Sequence, residues 1–174
     1  MAINKDSNTY TISFAIILVI IVGGLLAAIA NGLKPIQDEN LVNEKKQNIL
    51  NCLPGNKSIT RDEAGSVFAN FVKQRVILNY NGEIKENTLL DNSTELNNKD
   101  SRDAFSIDLL KEYKTIKDEK SRNYPLFICD VEGKTYYVAP VMGKGLWAAV
   151  WGFIAIDESG NSISGTVFDH KSET

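Results

Sequence analysis

The hydrophobic pattern of the chain divides sharply near residue 33. From Ser7 to Leu33 no residue carries a charge, and from Ile12 to Ala30 only Ser13 has a clearly polar side chain. A hydrocarbon core about 30 Å thick is crossed by about 20 apolar residues in helical form. The run Ile12–Ala30 meets that length, and in lipid its backbone groups must pair within the segment, so a helix is expected. Tyr10 stands where an interfacial aromatic would. Gly23 and Gly24 would let a neighbouring helix approach closely. The competing reading is a signal peptide, because Ala28-Ile29-Ala30 fits the small-x-small pattern before a cleavage site. The long apolar run, preceded by Lys5 as its one basic side chain, favours a retained anchor.

Beyond Lys34 the pattern becomes amphipathic. Lys34-Pro35 is expected to end the membrane segment. Leu41, Val42, Ile49, Leu50 and Leu53 then recur at helical spacing, with Glu44, Lys45 and Lys46 between them, until Pro54-Gly55 breaks the helix. Thr60 and Glu63 form a capping box that should open a second helix, whose face is expected to carry Ala64, Val67, Phe68, Phe71, Val72 and Arg75. Residues 79–102 are polar and Asn-rich and read as an irregular loop. Ala104–Tyr113 fits a strand or a short helix. Leu126–Val131 and Lys134–Ala139 flank Glu132-Gly133 as a hairpin. Trp151–Asp157 and Ile163–Phe168 flank Glu158-Ser159-Gly160-Asn161 as a second. Helices followed by paired strands predict an α+β domain, with 1–33 as tail and transmembrane helix and 34–174 as a single soluble domain.

Charge and cysteine content narrow the function classes. The net charge of -3 argues against nucleic-acid binding, which needs a concentrated basic surface. Cys52 and Cys129 lie in no CxxC or metal-ligand spacing. They read as small semi-buried residues, with a disulfide open to them in an oxidising compartment. His170 is the sole histidine and has no Ser/Asp partners arranged around it, so a hydrolase triad is not indicated. Asn56-Lys57-Ser58 and Asn92-Ser93-Thr94 match a glycosylation sequon that is common by chance.

Gly143–Asp157, GKGLWAAVWGFIAID, is the stretch richest in chemical possibilities. Gly143 and Gly145 allow backbone N–H groups to come close to a ligand. Leu146 and the only two tryptophans, Trp147 and Trp151, follow. A glycine-lined turn beside a large aromatic suits a flat ligand carrying a phosphate. It equally suits a tight turn with tryptophans as packing residues. It is not a Walker A motif, since the spacing and the final Ser/Thr are missing.

Taken in order, SNTYTISFAIILVI, LKPIQ, KKQNIL, AFSIDLLKEY, GKGLWAAVWGFIAID-ESGN and FDHKSET resemble the C subunit of the bacterial sodium-translocating NADH:quinone reductases. The related G subunit of the Rnf complex shares the flavin domain and is the runner-up. The resemblance implies a flavoprotein of the bacterial inner membrane, single-pass, with a cytoplasmic N-terminus and a periplasmic FMN-binding-type α+β domain. It implies FMN held covalently through its phosphate on a threonine, and passage of single electrons between redox centres of neighbouring membrane subunits. The complex as a whole would couple NADH oxidation and quinone reduction, with ubiquinone as the expected acceptor, to sodium export.

The family continues past its HxET-type stretch to the flavin-bearing threonine. That residue is expected beyond Thr174, so the C-terminal part of the domain is expected to be missing here. Ser164-Gly165-Thr166 precedes HKSET, lacks the motif's alanine and reads as a strand. The pocket residues carried over are Gly143, Gly145, Leu146 and Trp147, with Glu173 and Thr174. No protein acid, base or nucleophile is expected; the residues tune the flavin. The alternative is a membrane-anchored, non-enzymatic binding or scaffold protein of the cell envelope.

Overall fold

The computed structural model describes residues 7–55, 59–146 and 148–170. They fall into two compact units, Met1–Leu41 and Val42–Thr174. Helix α1, Asn8–Asn51, supplies nearly all the described residues of the first unit and the opening of the second. Its apolar run is long enough to cross a membrane, and its side chains are exposed, Val19 and Ile20 at 66% each. Tyr10 stacks on Phe14 with ring centroids 6.3 Å apart.

Lys34-Pro35, read as the end of the membrane segment, does not stop the helix. Pro35 lies inside α1. A proline removes one hydrogen bond to the carbonyl four residues back and favours a kink, but long helical runs on both sides carry the helix past it. The amphipathic segment read after it is the same helix, ending at Asn51 before Pro54-Gly55.

In the second unit a six-stranded antiparallel sheet has the order β2-β1-β3-β4-β5-β6. The strands are β1 Val72–Leu78, β2 Leu90–Asp91, β3 Tyr124–Val131, β4 Lys134–Lys144, β5 Ala149–Asp157 and β6 Ile163–His170. One face carries the core. Along β3, Pro125, Phe127 and Cys129 alternate inward, and the register sets Phe127, Val138, Ala155 and Gly165 side by side across four strands. The end of α1 packs there through Ile49, Leu50, Cys52 and Leu53, joined by Ala64 and Phe68 of α2, Arg61–Phe71. A 3-10 turn, Ala104–Ser106, adds Phe105. Phe68, Phe105, Phe127 and Phe153 form an edge-to-face chain with centroids 5.8, 6.4 and 6.4 Å apart, a geometry favoured by the ring quadrupoles.

Polar side chains near the end of α1 fasten it to the surrounding loops. Lys45 Nζ donates to the carbonyls of Phe105 at 2.5 Å and Ile107 at 3.3 Å. Gln47 donates to the Ile59 carbonyl at 2.8 Å. Asn51 accepts from the Ile59 N–H at 3.2 Å. Glu44 meets Arg61 at 3.1 Å.

The capping box forms as expected: Thr60 Oγ1 accepts from the Glu63 N–H, and the Glu63 carboxylate accepts from the Thr60 N–H at 2.9 Å. Helix α2 nevertheless stops at Phe71, so Val72 and Arg75 lie on β1 and not on the helix. Their spacing of three reads as helical. The register shift between Val72 and Gln74 is what turns both side chains to the same face of a strand. Ala104–Tyr113 resolves into the 3-10 turn and the start of α3, Leu109–Thr115. Both predicted hairpins are present, and Ser164-Gly165-Thr166 lies in β6.

Residues 79–102 are largely irregular but firmly tied. Arg75 Nε donates to both carboxylate oxygens of Asp103, at 2.9 and 3.1 Å, with the two side chains 3% and 0% exposed. Its remaining nitrogens donate to the carbonyls of Asp91 at 3.4 Å and Thr94 at 3.1 Å. A buried guanidinium is tolerated because its donors find acceptors.

Candidate functional site

The β4–β5 hairpin carries the glycine-tryptophan segment. Gly143 pairs with Val150 and Lys144 with Ala149. Gly145 N–H then donates to the Ala148 carbonyl at 2.8 Å, which closes the turn. Gly143 therefore lies in the last part of β4, and the turn itself begins at Gly145. Leu146 stands at the tip, 83% exposed. Trp147, Glu173 and Thr174 lie outside the described residues.

Cross-strand register adds neighbours that the motif did not reveal. Gly143, Val150 and His170 form one row; Met142, Trp151 and Asp169 form the next. The pairing to find these rows was hidden because the strand read at Lys134–Ala139 continues through Pro140 to Lys144. Trp151 is half-buried on the core side of the sheet, two residues before Phe153. His170 lies at the end of β6, where its N–H donates to the Asp169 carboxylate at 2.7 Å.

The hairpin's glycines differ in what requires them. A Cβ at Gly152 would stand 2.2 Å from the Val167 carbonyl oxygen and 2.7 Å from the Phe168 ring, so packing demands glycine there. A Cβ at Gly143 would meet nothing within 4 Å. Its bare backbone is left open to the outside, as a close-approaching ligand needs.

Among the described residues, no three His, Cys, Asp or Glu side chains are grouped to hold a metal. Cys52 and Cys129 are free thiols, both buried. Burial pushes the Cys52 thiol up to about 12, and it donates to the Ile49 carbonyl at 2.9 Å. Burial also pushes Cys129 upward, with Cys52 adding to the effect. Thiols held protonated in this way are poor nucleophiles. At the hairpin, bare backbone and the aliphatic Leu146 stand beside the row that carries Val150 and His170.

No family model matches the chain. The chain is similar to the C subunit of the Na(+)-translocating NADH-quinone reductase of Neisseria meningitidis, 28% identical over 172 residues, covering 98% of this chain and 66% of the relative. The corresponding protein of Vibrio anguillarum is 28% identical over 179 residues, covering 100% and 67%. That of Pseudomonas aeruginosa is 26% identical over 178 residues, covering 98% and 66%. Among solved structures, the C subunit from Parabacteroides distasonis superposes with a TM-score of 0.64 at 30% identity, over 82% of this chain and 60% of that one. The chain thus spans about two thirds of the length of the curated relatives it matches. Along nearly its whole sequence, and in the fold of its sheet domain, this chain is thus similar to C subunits of Na(+)-translocating NADH-quinone reductases.

Proposed function

We propose that the chain is the electron-transfer C subunit of a membrane NADH:quinone reductase that exports sodium. Residues 1–33 form its tail and transmembrane anchor, and 34–174 form most of an FMN-binding-type domain on the periplasmic side of the bacterial inner membrane. Its partners are the other membrane subunits of the reductase. The observation that carries this reading is likeness to a reductase C subunit over 98% of the sequence, joined to a hairpin whose Gly143 backbone is unobstructed.

The residues present fit a flavin. Gly143 brings bare backbone to the site, Gly145 closes the turn beside it, and Leu146 offers an exposed aliphatic surface for a ring system. We assign Trp147, Glu173 and Thr174 to the same pocket from the family resemblance, with the covalent threonine beyond Thr174. FMN, when bound, supplies the uptake and release of single electrons. The chain's own residues orient it, shield one face from water and set which redox form is favoured by hydrogen bonds and low polarity. On this reading no step needs a protein acid or base.

The test is the intact mass of the protein purified from its own membranes, with ultraviolet fluorescence of the denatured band. A fluorescent band, heavier than its polypeptide by one FMN less water, is the expected result. A mass equal to the bare polypeptide, without fluorescence, would favour the scaffold reading. Gly143→Val provides a local check, because the fold has room for the side chain: it should leave folding intact and alter the flavin's absorbance or potential.

A further inference from the structure

Asparagine followed by glycine is a chemically reactive pair, because glycine has no side chain to shield its backbone nitrogen from the amide group before it. The sequence contains two such pairs, Asn31-Gly32 and Asn81-Gly82. The fold treats them differently. Asn31 and Gly32 lie inside α1, where helical geometry fixes the backbone and commits each N–H to the carbonyl four residues back. Asn81, Gly82 and Glu83 are exposed, in the loop between Leu78 and Ile84, which meet in a single bridge. Asn79 organises that loop. Its Oδ1 accepts from the N–H groups of Asn81 at 2.9 Å and Glu83 at 3.0 Å, and its Nδ2 donates to the Glu83 carboxylate at 2.9 Å. The amide group of Asn81 itself makes no hydrogen bond among the described residues, so its rotation is unhindered. The amides of the two exposed Asn-Ser steps are tethered: Asn92 donates to the Ala69 carbonyl at 3.3 Å and Asn161 to the Ser159 carbonyl at 3.1 Å. One exposed turn bond, from the Gly82 N–H to the Asn79 carbonyl at 3.1 Å, has to open before the Gly82 nitrogen is free.

We propose that Asn81 is a self-modifying site, selected by the fold over Asn31, at which the chain converts an amide into an aspartate or isoaspartate. The Gly82 nitrogen loses its proton to water and attacks Cγ of Asn81, forming a new N–C bond. The bond from Cγ to Nδ2 breaks, and ammonia leaves with that proton. Water then opens the cyclic imide at one of its two carbonyls. The sum is one water consumed and one ammonia released, with no oxidation or reduction. Opening at the side-chain carbonyl restores the backbone as aspartate. Opening at the main-chain carbonyl routes the backbone through the side chain and inserts an extra methylene between the two N–H groups that Asn79 holds. Either product places a second carboxylate beside that of Glu83. The isoaspartyl product is the substrate class of a protein carboxyl methyltransferase. The inference is independent of the flavin assignment.

The experiment incubates the protein, purified from its own membranes in detergent, in warm, mildly alkaline buffer, both native and in denaturant. Peptide mass mapping follows each asparagine, and methyl label transferred by an isoaspartyl methyltransferase counts the isoaspartate. In the native protein the Asn81 peptide is expected to convert at least about tenfold faster than those of Asn31, Asn92 and Asn161, because an exposed loop opens far more often than a helix. In denaturant Asn31 and Asn81 should convert at like rates. Asn81→Gln should remove the methyl label from the native protein. Native Asn81 that keeps its amide, equal native conversion of Asn31 and Asn81, or aspartate formed without isoaspartate would each overturn the proposal. The incubation uses the unaltered chain, so a variant that fails to fold does not obscure the answer.

Discussion

A side-chain carbon at Gly165 would stand 2.1 Å from the carbonyl oxygen of Cys52 and 3.1 Å from its carbonyl carbon. Both neighbours are backbone at the end of α1 and cannot swing aside. Gly165→Ala is therefore expected to destabilise the protein by about 1–3 kcal/mol or more, measured by denaturant unfolding. Gly143→Ala, with open space around it, should stay within about 0.5 kcal/mol of the parent. The two buried thiols give a second residue-scale prediction. With Cys52 raised to about 12 and Cys129 raised as well, the folded protein should resist alkylation at pH 8, and both thiols should react once it is unfolded; fast labelling of either in the native state would contradict the burial. The semi-buried pair read from composition was thus right in kind. The reason for glycine at 165 was not legible, because it depends on a helix end more than a hundred residues earlier.

At the scale of elements, the second helix was legible where its chemistry is local and illegible where it is not. Thr60 and Glu63 announce the start of α2 in four residues. Its end at Phe71 depends on pairing between Val72 and Cys129, which no local pattern records. Thr60→Ala should cost about 1 kcal/mol. The Glu63 carboxylate is held below the usual glutamate range by the backbone N–H and then the hydroxyl of Thr60. Its stabilising contribution is therefore complete above the ordinary glutamate pKa and is lost as pH falls through the lowered folded value. The difference in stability between parent and Thr60→Ala should shrink over that acid range, as pH-dependent denaturation would show. The Asn-rich segment reads as formless, yet Arg75 and Asp103 pin it to β1. Asp103→Ala strands a guanidinium that is 3% exposed and should cost about 3–5 kcal/mol, visible as a large drop in the unfolding midpoint. The glycine-lined turn was read from its motif, whereas the β4–β5 pairing that makes it a hairpin, and the rows that place Val150 beside His170 and Trp151 beside Asp169, needed the register.

At the scale of the whole molecule, the division into an apolar helix and an α+β domain is written plainly, because a run of uncharged residues and two alternating hairpins are strong periodic signals. The sheet order is not, since β1 pairs with β3 across a long excursion of weakly patterned chain. The apolar run of α1 predicts that the protein stays with the membrane pellet after alkaline carbonate extraction; recovery in the supernatant with an N-terminus at Asn31 would show cleavage after Ala30 instead.

The contact between Cys52 and Gly165 also sets a timetable for the newborn chain. The end of α1 is synthesised 113 residues before the glycine that receives it, by subtraction of the two positions. At about 5–20 residues per second that interval is roughly 6–23 seconds. Throughout it the strand that carries Gly165 does not yet exist. Local helices can form in that time, but loop closure over such a span must await the last strand. The nascent polypeptide, already holding its long apolar helix, thus cannot make the contact between Cys52 and Gly165 until β6 arrives.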